Sequence, residues 1–232
     1  MSIPFSVYDF FGYLASGFLI LVAVDYSTND GKPMADTLAV IPAAFWLTVA
    51  YIIGHIVANI ASFLLEHKFL RECLRSPEET LFEPQSKSFW AKVFPIFYRP
   101  FPVETQERVM TKARKLGIEK PGRGLFFHCH AIAKRDKTTL DRLSSFLNQY
   151  GFCRNISMTL LLVIPMLLYG GFRHVRTQGR AGLRAECLLW AGMAAIASIG
   201  MFYRYLKFFR HYTMEVFQTY AELPSDTPSA KE

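Results

Sequence analysis

Residues 37–65 read TLAVIPAAFWLTVAYIIGHIVANIASFLL, a run of 29 residues without Asp, Glu, Lys or Arg. At a rise of about 1.5 Å per residue, a helix of this length extends roughly 43 Å, which exceeds the hydrocarbon core of a bilayer at about 30 Å. Large apolar side chains are spread through the whole run, so no face of such a helix is polar. The run therefore predicts a transmembrane helix and an integral membrane protein.

The composition agrees with a membrane protein that also has a basic surface. The 232 residues are 51% hydrophobic and 15% aromatic, and the net charge is +7. A basic soluble protein would suggest nucleic acid, whereas in a membrane protein the excess of Lys and Arg favours a cytoplasmic surface against anionic headgroups. We therefore expect the lipid bilayer, rather than nucleic acid, to be the partner of these residues.

Three further apolar stretches complete an all-α, polytopic chain with four transmembrane helices, at about residues 7–25, 38–65, 155–172 and 187–204. A cytosolic helical insert is expected between the second and third helices. The predicted divisions are a first transmembrane hairpin (1–66), the basic insert (67–152), a second hairpin (153–206) and a cytosolic helical extension with a polar tail (207–232).

The insert differs from the spans in both charge and pattern. Residues 68–142 carry 16 Lys and Arg, and six prolines divide the first two thirds of this segment into short pieces. Helices are predicted over 103–118 and 125–150, the second interrupted near Asp136 and leading into the third span. The fourth span is expected to continue as a helix beyond Arg204 until Pro224.

The distribution of positive charge predicts the orientation. With both termini in the cytoplasm, 21 Lys and Arg lie inside and 5 outside, and the positive-inside rule favours this arrangement. No Lys or Arg precedes the first apolar run, so we expect it to be retained rather than cleaved as a signal peptide. Four arginines in the 173–184 loop oppose the rule, and a re-entrant hairpin formed by 155–203 is the alternative to two full spans.

Polar residues within or beside the spans are the first candidates for a functional site. His55 and Asn59 are four residues apart and share a helix face; they could line a proton or ion path, or form hydrogen bonds between helices. Asp9 and Glu66 are expected at the same interface as Arg154. They could form a salt-bridged cluster with it, or Asp9 could be an acid that collects or gates ions.

A stripe of small residues predicts close helix packing. Small side chains four residues apart let helix backbones approach each other in a membrane. The stripe could serve packing within one chain or between copies in a homo-oligomer. Its residues are Gly12 and Ser16 in the first span and Ala50, Gly54, Ala58 and Ser62 in the second.

No residue pattern indicates catalysis, a cofactor or a metal site. His128 and His130 fall in a predicted helix, where positions two apart point about 200° apart, and no third ligand is spaced to assist them. The motifs of serine hydrolases, zinc proteases, P-loops and dinucleotide-binding folds are absent. The four cysteines, which form no CxxC pair, are Cys73, Cys129, Cys153 and Cys187.

Four short segments resemble a loose group of uncharacterised bacterial multi-pass inner-membrane proteins. The segments are YDFFGY at 8–13, YIIGH at 51–55, YGFCRN at 150–155 and RYLKFFR at 204–210. The resemblance implies the same arrangement of transmembrane helices and cytosolic insert, and it implies no activity. The layout is also similar to that of membrane components of bacterial anti-phage defence systems.

These observations favour a non-enzymatic integral membrane protein that acts as a membrane anchor or effector for a cytosolic protein partner, in a defence or stress system. The alternative is a homo-oligomeric channel or pore, or a small transporter subunit, in which Gly54 and Ala58 face another copy and His55 or Asn59 faces water. A membrane-bound enzyme ranks third, because only one histidine lies within a predicted span.

Overall fold

In the computed structural model, residues 7–28, 40–83, 89–178 and 181–223 are described, and within these ranges the chain forms helices and turns but no strand. The all-α class is therefore confirmed for these ranges. Directly after α2, Ser62–Leu74 continues as a π-helix. The α-helices are α1 Val7–Thr28, α2 Val40–Ala61, α3 Pro77–Thr80, α4 Phe89–Val93, α5 Val103–Arg114, α6 Arg123–Ala133, α7 Lys137–Gln178 and α8 Ala181–Glu222.

Within the described ranges, four helical stretches are long and apolar enough to cross a membrane, as the sequence predicts. In the most apolar part of each, only 22% to 44% of the residues are buried, so the other side chains there are only partly covered by the protein or not covered at all. The stretches are Phe10–Thr28, Ala43–Thr80, Lys137–Arg173 and Gly182–Glu222.

The helices α7 and α8 are longer than the apolar stretches from which they were predicted. Each has 42 residues; α7 continues to Gln178 and α8 begins at Ala181, so helix occupies much of the expected 173–184 loop. Arginine is a good helix former, and basic residues near a helix C-terminus complement its dipole. The guanidinium of Arg184 also lies 5.4 Å from the ring centre of Phe172.

The chain divides into two compact units. Unit 1 contains residues 1–69 and 148–205, and unit 2 contains residues 70–147 and 206–232. Each unit has a hydrophobic core of its own.

In unit 1, small and hydroxyl residues join the helices. The hydroxyl of Ser27 on α1 donates to the carbonyl of Met166 on α7 at 2.9 Å. Ser157 on α7 and Ser198 on α8 each donate to the other's carbonyl, at 3.0 and 2.9 Å. Such hydrogen bonds hold apolar helices together where burial of apolar surface does not. The buried core consists of Ile20, Ala23, Val57, Ala61, Met158, Val163, Leu167 and Ala191.

In unit 2, the ends of the helices are set by local capping. The predicted helix 103–118 ends at Arg114, because Gly117 has a left-handed backbone (φ 77°) and the Ile118 amide donates to the Ala113 carbonyl at 3.1 Å. The interruption predicted near Asp136 is observed between α6 and α7. There the Asp136 carboxylate accepts hydrogen bonds from the Thr139 amide (2.8 Å) and hydroxyl (2.7 Å).

Aromatic and aliphatic side chains form the core of unit 2. The ring of Phe217 on α8 contacts three other rings edge-on, with centroids 5.0 to 6.4 Å apart. Lys112 on α5 donates to the carbonyls of Tyr220 and Ala221 in the last turn of α8, and to the Leu223 carbonyl just beyond it, so it satisfies acceptors at the C-terminus of this helix. The buried core consists of Leu81, Phe82, Phe101, Val109, Ala113, Leu125, Phe126, Cys129, Ala133, Leu143, Val216, Phe217 and Tyr220.

Candidate functional site

The densest polar contact in unit 1 surrounds Glu66. Its Oε2 accepts hydrogen bonds from Tyr150 Oη (2.7 Å) and Arg154 Nη1 (2.8 Å), and Ser62 Oγ donates to it at 3.4 Å. Arg154 also binds the Asn155 side-chain oxygen at 3.3 Å. We call these five residues the Glu66 cluster.

The Glu66 cluster is an ion pair withdrawn from solvent. The side chains of Arg154 and Glu66 are only 13% and 20% exposed, and the guanidinium lies 5.5 Å from the Tyr150 ring centre. Three donors meet the carboxylate, and one of them, Arg154, also balances its charge, so the Glu66 cluster links α7 to the π-helix. Losing either charge would leave the other partly buried and unpaired.

Glu66 lies in the π-helix that extends α2. A π-helix of 13 residues is long, because this conformation usually occurs as a single turn inserted at a functional site. Within it, His67 Nδ1 lies 3.3 Å from the Ser62 carbonyl, five residues earlier. Backbone hydrogen bonds in a π-helix join residues five apart, whereas those in an α-helix join residues four apart. The end of the apolar run therefore differs in backbone conformation from the α-helix before it.

The other predicted polar residues are separated from this cluster. His55 stacks on Tyr13 with centroids 4.1 Å apart and meets Tyr51 edge-on at 4.6 Å. Asn59 is exposed on α2, away from the buried residues of that helix. The side chain of Asp9 lies outside the described residues. The structure therefore joins Glu66 to Arg154 and leaves His55 and Asn59 in different surroundings.

Within one chain, Ala50 and Gly54 of the small-residue stripe lie against α1, whereas a Cβ atom at Gly12 would meet the Phe152 ring of α7 at 3.4 Å. A Cβ atom at Gly54 would overlap the Tyr13 carbonyl, and one at Gly17 would overlap the Ala50 carbonyl. Gly12, Ser16, Ala50, Gly54 and Ala58 are buried, whereas Ser62 is half-buried. Because α1 fills this side of α2, a contact between copies would use another side of the helix.

The two histidines of α6 contact different neighbours. His130 Nε2 lies 2.9 Å from Tyr212 Oη, and burial lowers the pKa of this histidine. His128 instead meets the ring of Tyr220 edge-on at 5.7 Å. Among the residues that the structure describes, no three His, Cys, Asp or Glu side chains are grouped to hold a metal ion.

Cys129 lies between these histidines and is fully buried. Burial raises the pKa of its thiol to about 12. A cysteine nucleophile needs an accessible thiolate, so Cys129 is a core side chain.

One side of α6 exposes an aromatic ring beside a positive charge. Phe127 is 53% exposed, and the Arg123 guanidinium lies 5.3 Å from its ring centre. Ala131 and Lys134 continue this exposed side toward the end of the helix. We call Arg123, Phe127, Ala131 and Lys134 the α6 face.

Sequence patterns alone did not identify Tyr150 in the cluster or the pairing on the α6 face. In both cases the residues are four apart on one helix, Tyr150 with Arg154 and Arg123 with Phe127, which places them on the same side. That spacing is the signal that could have found them. The carboxylate that Tyr150 binds is 84 residues away in the sequence.

No protein-family model, curated protein or solved structure matches this chain.

Proposed function

We propose that this chain is a non-enzymatic integral protein of a bacterial inner membrane that holds unit 2 at the cytoplasmic face for a cytosolic protein partner. One observation carries the proposal: four apolar helices occur in the same chain as a second unit with its own core. Unit 2 carries 18 Lys and Arg against 13 Asp and Glu. The similarity in layout to membrane components of anti-phage systems supports a defence or stress role.

The exposed apolar side chains of unit 1 support its insertion in a bilayer. Ile196 and Ile199 on α8 are 74% and 62% exposed, and Phe45 on α2 is 62% exposed. Exposure of apolar surface to water costs about 25 cal/mol per Å². Contact with the hydrocarbon of a bilayer removes this cost, so these side chains are more stable in lipid than in water.

The charge distribution supports a cytoplasmic unit 2. With both termini inside, 21 basic residues lie on the cytoplasmic side and 5 on the other. A basic unit on that side would also be attracted to the anionic inner leaflet.

The α6 face supports a protein partner with an acidic surface. Arginine and aromatic residues are enriched at the centres of protein interfaces. The Arg123 and Phe127 pair offers both an apolar contact and a positive charge. The neighbouring Lys134 adds charge of the same sign.

The test is affinity capture of the intact chain in mild detergent from the cells that produce it. Replacing both Arg123 and Phe127 with Ala should reduce recovery of the partner at least tenfold, since interface hot spots contribute about 2 kcal/mol or more. Leu116→Ala is the matched control, because Leu116 is 57% exposed and lies outside the α6 face. Equal recovery with all three chains, or recovery of no specific partner, would contradict the proposal.

A further inference from the structure

One side of α2 is exposed along its length. Phe45, Thr48, Ile52, Ile56 and Asn59 follow one another at intervals of three or four residues, and all five are exposed. At about 100° per residue they fall on one side of the helix. We call them the outer stripe.

The described residues do not cover the outer stripe, because α1 packs on the opposite side of α2. That side holds the buried residues Ala50, Gly54, Val57 and Ala58. In a bilayer, the outer stripe would therefore face lipid or another molecule.

Two polar side chains interrupt the outer stripe, and they differ in whether they have a hydrogen-bond partner. The hydroxyl of Thr48 donates to the Ala44 carbonyl on its own helix at 2.9 Å, so it needs no other partner. The amide of Asn59 forms no hydrogen bond with any residue that the structure describes. A carboxamide has two donors and an acceptor, and hydrocarbon satisfies none of them.

Asn59 lies well inside the apolar run. It precedes Glu66 by seven residues, which corresponds to about 10 Å along a helix. If the Glu66 cluster is near the headgroups, the Asn59 amide is in the hydrocarbon layer. Water there is too scarce to replace a protein partner.

We propose that the outer stripe is an interface between two copies of this chain, in which the Asn59 amides bind each other. A two-fold axis places a residue opposite its own copy, and an amide, being both donor and acceptor, can pair with itself. Ile52 and Ile56 then pack beside the amide pair. The inference rests on the membrane insertion in the proposed function and adds the contact between copies.

The test measures energy transfer between donor- and acceptor-labelled copies in liposomes. The intact chain is labelled at the exposed Cys73, with the other three cysteines replaced by serine or alanine. Asn59→Leu should weaken association about threefold to thirtyfold, the range for polar contacts between membrane helices. Asn59→Gln, which keeps the amide, should retain association. Thr28→Val on α1 is the control outside the outer stripe and should leave association unchanged, because the Thr28 hydroxyl donates to the Val24 carbonyl of its own helix at 2.9 Å.

Three results would overturn the inference. They are a monomeric parent chain, association of Asn59→Leu equal to that of the parent, and reaction of Asn59→Cys with a water-borne thiol reagent, which would indicate a water-filled path. Membrane insertion is checked separately through Trp190, which is 50% exposed, with Trp46 and Trp90 replaced by Phe. Quenching of Trp190 by brominated lipid without energy transfer rejects only the interface, whereas loss of both signals rejects the insertion as well.

Discussion

Replacing Arg154 with Met should destabilise unit 1 by about 3 kcal/mol, because the substitution leaves Glu66 partly buried without a balancing charge. Breaking a buried ion pair by removing one partner typically costs 3–5 kcal/mol. The low end applies here, since the two side chains retain 13% and 20% exposure. Tyr150 would also continue to donate to the carboxylate at 2.7 Å.

The free energy of unfolding would be measured by titrating sodium dodecyl sulfate into mixed micelles and following circular dichroism. A loss of about 3 kcal/mol corresponds to a change of roughly a hundredfold in the unfolding equilibrium. Arg176→Met is the control, because Arg176 is exposed and a surface substitution usually changes stability by less than about 0.5 kcal/mol.

A second variant separates the lost charge from the lost side chain. Adding Glu66→Gln to Arg154→Met removes the unpaired carboxylate, so part of the stability should return. If Arg154→Met is no less stable than the Arg176→Met control, the ion pair does not stabilise unit 1. If the double variant is no more stable than Arg154→Met alone, the unpaired carboxylate does not account for the loss of stability.

Three other substitutions or treatments test separate features. Gly54→Leu should destabilise the chain by about 1–3 kcal/mol or more in the same titration, because its Cβ has no room against α1, whereas Gly192→Leu should be tolerated because a Cβ there meets nothing within 4 Å. At pH 8 a thiol reagent should modify exposed Cys73 and leave Cys129 unmodified until the chain unfolds, since burial raises the Cys129 pKa to about 12; modification of Cys129 in the folded chain would show that it is accessible. Hydrogen bonds from Thr139 in the first turn of α7 lower the pKa of Asp136. The stability that this cap contributes is therefore present above the unfolded pKa of about 3.9 and is lost as the pH falls below it. Asp136→Asn should reduce this loss of stability in acid, and an unchanged loss would exclude the cap as its source.

The helical class and the four apolar helices could be predicted because both depend on local sequence. The charge-free run 37–65 is long enough for a span in any tertiary context. The break at Asp136 was also visible, since aspartate commonly caps helix N-termini. The full length of α7 and α8 was harder to predict, because arginine-rich ends resemble a loop in hydropathy while still favouring helix.

The π-helix and the full Glu66 cluster could not be predicted in this way. A π-helix has no clear sequence signature and differs from an α-helix only in the spacing of its hydrogen bonds. Pairing of Glu66 with Arg154 could be suggested from their shared depth. The contribution of Tyr150 depends on the tertiary packing of α7 against the π-helix.

The small-residue stripe shows a second limit of sequence information. Its spacing predicts close packing but not the identity of the packed helix. The structure places Tyr13 of the same chain against Gly54. Because α1 occupies that side of α2, the outer stripe on the opposite side is the surface available for another contact.

Thiol labelling of the chain in intact cells tests the proposed placement of unit 2 in the cytoplasm, attached to four spans. Cysteine placed at Thr28 or at Arg176, both exposed near the ends of α1 and α7, should react with an impermeant reagent in intact cells. The native Cys73, which is also exposed, should react only after permeabilisation. Labelling of Cys73 in intact cells would contradict the orientation, and protection of position 176 while position 28 reacts would contradict four full spans.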